Sequence, residues 1–425
     1  KVHDFVDEKK DKKLRLGVLA LESGQPIHVG VNGLFASHIG IFGNTGSGKS
    51  YTLARLYRTL YTSFQEQKKF KENAKFLLFD FNGEYNLEDT IISDKNIVNL
   101  NTKTQEGEDK LIFNEKDLLN IELFSIMASA TEKTQQPFLK RSLDFYGTIN
   151  DADDPLAYFQ NTVRKKVERI LCMTDKSKAY LLLDYMRELL PVGLNEHGIE
   201  GSLTDDFSWQ SSLSKFYLNP YSEQKYFEQN IDFVKQTKLY NQVNHYEFPK
   251  DIISKVIDFL YLQLIHDVLS NRAQNEHIAP VINKLKSFQK DFKKVIEITP
   301  DKSTDFWNRK NFTVINLNDA NLNTKKLIPL LVSYKLYSEH KKEKKETIDK
   351  YLNIIIDEAH NILSYESQRE SESWKDYRLE TFEEIIKEGR KFGVFLTIAS
   401  QRPSDISPTI ISQLHNYLLH RLINN

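Results

Sequence analysis

The chain has 425 residues, 40% hydrophobic and 28% charged, which gives more than one domain's worth of material and enough apolar residues for a sizeable core. A net charge of -1 excludes a globally basic nucleic-acid binder, so any such surface must be a local Lys/Arg stripe. The single cysteine, Cys172, excludes an internal disulfide and a cysteine-based zinc site. It fits a reducing compartment, and the absence of an apolar run near the ~20 residues that span a bilayer argues against a membrane partner, so a cytoplasmic chain is expected.

The opening "KVHDFVDEKKDKK" lacks the apolar core of a signal peptide and a start methionine, which reads as part of something longer. "RLGVLALESGQPIHV" follows as two short strands around a turn at Ser23-Gly24. "HIGIFG" is a short buried strand, then a glycine loop, then a helix from about Lys49 to Phe64. The pattern repeats at Lys75 to Phe79, a buried strand ended by Asp80 and a turn at Asn82-Gly83. From about Leu111 to Phe292 the periodicity is mostly helical. Strands return at Phe312 to Asn318, Tyr351 to His360, Gly393 to Gln401 and Asn416 to Ile423, with helices over Lys325 to Lys341 and Leu379 to Lys391. Short all-apolar strands alternating with helices imply an α/β fold with a parallel-rich sheet covered on both faces, interrupted by a large helical insertion. The expected division is 1–37 (strands and linker), 38–110 and 301–425 (core), and 111–300 (insertion).

"GNTGSGKS", Gly43 to Ser50, fits G-x-x-x-x-G-K-[ST] without departure, and a strand before it and a helix after it supply the context the motif needs. Gly43, Gly46 and Gly48 let successive backbone N–H groups turn inward around a phosphate. Asn44, Thr45, Ser47 and Tyr51 complete the cradle and the first helical turn, whose positive end faces the anion. Lys49 would set a charge on the β- and γ-phosphates and the Ser50 hydroxyl would ligate Mg²⁺. A second motif, "NIIIDEAH", ends a buried strand in Asp357-Glu358. Asp357 can hold Mg²⁺ through water, and Glu358 can orient or deprotonate the attacking water. The pair of motifs favours NTP hydrolysis over binding without turnover. The eleven histidines show no ligand spacing, so Mg²⁺ with nucleotide is the only metal implied.

"HIGIFGNTGSGKS", "FDFNGEY", "IIIDEAHNIL", "EGRKFGV" and "TIASQRPSDISPTIISQ" occur in that order around a helical insert, and this constellation resembles the HerA-type ATPases of the HerA–FtsK superfamily. The match covers roughly residues 30–100 and 300–425, with "TQQPFLKRSL" a weaker echo in the helical region. Conjugation-type ATPases of the same superfamily are the near alternative. The resemblance implies a P-loop NTPase core of RecA/FtsK type in a homo-hexamer that hydrolyses ATP between subunits and moves double-stranded DNA through its centre. By position, Gln401 resembles the polar sensor of the γ-phosphate and Arg390 the arginine finger, with Arg402 as the alternative finger. Arg390 also reads as a solvated charge at a helix end. Glu84 matches the "GEY" of the family, which implies a place near Mg²⁺ or the attacking water. That holds if the second strand neighbours the loop-bearing one; otherwise Asp80 and Asn82 are turn residues and Glu84 is solvated.

Family members also carry an amino-terminal β-barrel, of which 1–37 would be a remnant, and a tail beyond Asn425. Their companions are NurA-like nucleases or, in antiphage defence, sirtuin-like or nuclease effectors. The Lys- and Asn-rich composition tilts toward the defence setting. An ATP-gated scaffold that activates an effector is therefore the second reading, and a secretion or conjugation ATPase the third. For nucleic acid the visible candidates are "KLKSFQKDFKK" (Lys284 to Lys294) and "KKEKKE" (Lys341 to Glu346), both more often solvated faces.

Overall fold

The computed structural model describes residues 12–19, 24–104, 109–190, 192, 201–219, 225–299, 305–343, 348–365 and 372–422. The chain divides into two units, one formed by Lys1–Leu118 with Lys290–Asn425 and the other by Leu119–Gln289.

In the first unit, β1 (Lys13–Val18) and β2 (Pro26–Gly30) form an antiparallel pair, and α1 (Val31–Phe35) leads into β3 (Ile39–Phe42). Ser23 of the expected turn lies outside the described residues. Helix α2 (Lys49–Phe64) follows, then α3 (Lys68–Asn73), β4 (Ala74–Asp80), β5 (Asn96–Asn99) and β6 (Leu111–Asn114). The second unit adds β7 (Phe207–Gln210), β8 (Lys215–Leu218) and β9 (Lys225–Tyr226) among its helices, and the chain returns with β10 (Ile296–Thr299), β11 (Phe312–Asn316), β12 (Tyr351–Ile356), β13 (Val394–Ser400) and β14 (Asn416–Leu419).

Seven strands form one sheet in the order β14-β3-β13-β12-β4-β11-β5, with every neighbouring pair parallel. All four residues of β3 and all seven of β13 are buried, as are the last five of β4 and of β12. Burial on both faces is what continuous apolar runs such as "IGIF" and "VFLTIAS" dictate, because helices cover the sheet from either side. Helix α2 lays Leu53, Leu56, Tyr57, Leu60 and Tyr61 against it at helical spacing. Tyr57 and Tyr61 meet Phe76 and Phe312 edge-on, while Leu14, Leu34 and Phe35 from the first segment join the same core.

Two features depart from the sequence reading. β6 and β10 pair in parallel with each other, which draws residues 111–118 and 290–299 into the first unit rather than the insertion. The mostly helical second unit also carries strands: β7, β8 and β9 make a three-stranded antiparallel sheet whose residues Phe207, Trp209 and Phe216 interlock. Among the described residues no helix is long and apolar enough to cross a membrane.

His38, just before β3, illustrates the tight lower edge of the sheet. It is 1% exposed, and its Nδ1 accepts the Leu396 N–H at 3.0 Å. Burial, reinforced by His415, lowers its pKa to about 4. The unfolded chain takes up this proton near pH 6.5 and the folded chain does not until about 4, so the contribution to stability is complete above pH 6.5 and is lost as pH falls through that window. At pH 5 the loss should be about 2 kcal/mol. Urea unfolding of the wild type and His38→Asn at pH 7 and pH 5 checks this: the pH-dependent drop should shrink in the variant.

Candidate active site

The strand register brings four strand ends to one edge. Phe42 pairs with Ser400, Ile398 with Ile356, and Ile356 with Phe79, so the residues that follow β3, β13, β12 and β4 emerge side by side. At the first of these ends the chain turns through Gly43–Gly48 into α2. Gly46 and Gly48 have φ of +73° and +95°, which side chains other than glycine rarely adopt. Gly43 has a different reason: a Cβ there would stand 2.4 Å from the His420 Cβ and 2.6 Å from the Ser47 Oγ. The loop is gripped by the segment after β14, where Asn44 N–H donates to the Arg421 carbonyl (3.0 Å) and His420 Nδ1 lies 2.9 Å from the Ser47 carbonyl.

Lys49 is buried, and its Nζ donates to the Asn44 carbonyl at 3.2 Å, across the mouth of the loop. Thr45 Oγ1 hydrogen-bonds Gln401 Oε1, which joins the loop to the end of β13. The Ser47 hydroxyl is buried with no partner. Tyr51 is 70% exposed and borders the cleft beyond the loop rather than the loop itself.

Asp357 is 2% exposed and accepts from the Glu358 N–H (2.9 Å) and the Tyr85 hydroxyl (2.9 Å). Burial drives its pKa up to about 7, with Glu358 and Glu84 adding to the rise. A carboxylate so poor in counter-charge is suited to a cation. Glu358 has φ +47°, a costly conformation for this residue and one often found where geometry serves chemistry. Its Oε2 lies 3.2 Å from the His360 Nδ1 without hydrogen-bond geometry, and the imidazole holds the carboxyl below its ordinary pKa, helped by Lys49 and Arg402. A carboxylate held in its charged form orients a water better than it abstracts a proton.

β4 does not neighbour β3; β13 and β12 lie between them. Asp80 is fully buried and accepts four backbone N–H groups, from Asn82, Gly83, Glu84 and Tyr85, at 2.8–3.2 Å, so it shapes a turn. That turn still delivers Glu84, exposed, into a cleft with Ser50 and Tyr51. Tyr85 is the residue the sequence does not announce: 1% exposed, it bonds Asp357 and lies beside the Ser50 hydroxyl. Tyr85→Phe should cost roughly 1–3 kcal/mol in urea unfolding, because the Asp357 carboxyl loses its side-chain donor in a buried setting.

Arg390 and Arg402 sit apart. Arg390 is exposed in the turn before β13, at the opposite sheet edge, and its charge is felt by His38. Arg402 directly follows Gln401, lies 3.9 Å from Asp405 and acts on Glu358. Part of each lysine run is engaged. Lys286 binds Glu188 (2.5 Å), Lys294 donates to the Thr102 carbonyl and Phe292 is core, while Lys341 pairs with Glu384 at 2.7 Å. Residues 344–346 of the second run lie outside the described residues.

These groups fit a magnesium nucleotide. The loop offers an unpartnered buried hydroxyl and a buried ammonium at the start of a 16-residue helix, and Ser50 and Asp357 share Tyr85. Among the described residues no group of three or more His, Cys, Asp or Glu is placed to hold a metal ion. A glycine loop between strand and helix at the carboxyl edge of a parallel sheet defines a P-loop nucleotide-binding protein.

Residues 14–336 match the family "Helicase HerA, central domain", and the chain belongs to that family. It is 29% identical over 170 residues to the DNA double-strand break repair helicase HerA of Sulfurisphaera tokodaii, covering 39% of this chain and 32% of that protein. A probable helicase of Methanocaldococcus jannaschii is 35% identical over 78 residues, 18% of this chain and 14% of that protein. The matched stretch thus spans about a third or less of these relatives' length. Among solved structures, VirB4 of Thermoanaerobacter pseudethanolicus aligns over 94% of this chain and 80% of its own, with a TM-score of 0.42 and 14% identity. The plasmid coupling protein TrwB in complex with ADP and Mg²⁺ aligns over 96% and 75%, with a TM-score of 0.39 and 10% identity.

Proposed function

We infer that this chain hydrolyses ATP with Mg²⁺ and couples the hydrolysis to movement of double-stranded DNA, as a homo-hexameric ring. The observation that carries the reading is the convergence of Lys49, Glu358, Asp357 and the Gln401–Thr45 contact at one sheet edge. Mg²⁺, held by Ser50 and Asp357, would offset charge on the phosphates. Lys49 neutralises the γ-phosphate side, Glu358 orients the attacking water and Gln401 senses the γ-phosphate through its contact with the loop. Arg390 acts as the finger for the neighbouring subunit, since it lies too far from its own loop to serve there, whereas Arg402 faces its own Glu358. Glu84 borders the Ser50 side and tunes the charge there. DNA as the track is supported by membership of a helicase family. Phosphate release from ATP, with and without EDTA, tests the chemical half: turnover that needs Mg²⁺ is expected, and tight ATP binding with no turnover in Mg²⁺ overturns it.

A further inference from the structure

A second cleft, of about 390 Å³, opens at the other end of α2, beside the amino-terminal ends of β4, β5 and β11. Helix α2 is about 24 Å long at 1.5 Å per residue, so this cleft is remote from the glycine loop at its start. Two buried polar side chains line it with no partner: the hydroxyl of Tyr61 (3% exposed) and Nδ2 of Asn311 (8% exposed). Such orphans are costly unless something fills their need. Both can donate, since burial holds the Tyr61 phenol protonated. Around them stand four cations, Arg58, Lys71, Arg309 and Lys310, against two carboxylates, Glu66 and Asp94. Asp94 is already taken by Lys310.

The wall is built, not loose. Asn308 and Arg309 both have left-handed φ (+48° and +59°), and the Asp305 carboxylate fixes this turn by accepting the N–H groups of Trp307 (3.0 Å) and Arg309 (2.6 Å). A volume above ~300 Å³ suits a small molecule, and donors without acceptors call for an oxyanion.

We propose that this cleft binds a small ligand bearing a phosphate or carboxylate group, held by Tyr61, Asn311, Arg309 and Lys71. The site bears on the nucleotide because one loop serves both: Glu84, Tyr85 and Thr90 border the Ser50 cleft and residues 91–94 border this one. Arg58 lines both clefts and donates to the Asp89 carbonyl in the same loop. Ile91 holds φ +69°, an outlier for a β-branched residue, and Lys95 ties the loop by donating to the carbonyls of Tyr85, Leu87 and Thr90 at 2.6–3.0 Å. Occupation therefore changes the setting of Tyr85 on Asp357.

Thermal unfolding of the full chain, titrated separately with inorganic phosphate and with succinate, tests the site and tells the two chemistries apart. At least one anion should raise the Tm saturably. The rise should persist in Lys49→Ala, which weakens the glycine loop, and its apparent affinity should fall at least ~5-fold in Arg309→Ala/Lys71→Ala, whose changes are both at exposed side chains. Tyr61→Phe should also lose the response while remaining folded. Any other pattern overturns the proposal: no rise with either anion means the cleft holds only water, and a rise lost in Lys49→Ala alone means the anion sits in the glycine loop. Regulation rests on the proposed ATP hydrolysis and is read separately, as a change of at least twofold in turnover with whichever anion raises the Tm, a change that the double variant lacks at the same concentration. The Tm readout does not depend on turnover, so the two failures are distinguishable.

Discussion

Lys49→Ala should lower kcat/KM for ATP about 10²–10³-fold, the size of effect seen when one preorganised charge partner of a transition state is removed. Among the described residues the buried Lys49 ammonium has one hydrogen-bond acceptor, the Asn44 carbonyl, so most of its donor capacity remains for phosphate oxygens. Little stability should be lost with it. Steady-state phosphate release, with Tm as the control for folding, measures both; unchanged turnover would mean that the loop does not hold the reacting phosphate.

The second large effect is expected at Glu358. Glu358→Gln keeps the size and the φ of +47°, so the fold should survive, while the carboxylate proposed to orient water becomes an amide. Hydrolysis should fall roughly 10²–10⁴-fold with ATP binding within about threefold of wild type. Single-turnover phosphate release and equilibrium binding of a fluorescent ATP analogue separate the two. Equal loss of both would assign Glu358 to structure, through its contact with His360.

The fold was largely legible because buried strands of a parallel sheet are short apolar runs and the helices between them keep a helical period. The expected helix from Lys49 to Phe64 coincides with α2, since Gly48 at φ +95° starts it and the apolar spacing ends with Tyr61. Strand order was not legible. Nothing in "KFLLFD" says that β13 and β12 separate it from β3, so the adjacency on which Glu84's place beside the phosphates was conditional is absent. The Asp80 turn, held by four backbone N–H groups, places Glu84 in the cleft with Ser50 and Tyr51 instead. The roles of Tyr85 and His420 are not legible for the same reason. Each acts on a residue hundreds of positions away, Tyr85 on Asp357 and His420 on Ser47, and a long-range partner leaves no periodic trace. The strands of the second unit leave no clear sequence signal because they are two to four residues long, within a region otherwise helical.

If ATP turnover at this site drives movement along DNA, steady-state ATP hydrolysis by the full chain should differ with and without linear double-stranded DNA, with Lys49→Ala as the blank. A several-fold stimulation that vanishes in the variant is predicted. Robust turnover indifferent to DNA at every length and salt concentration would contradict it and leave an ATPase without this track.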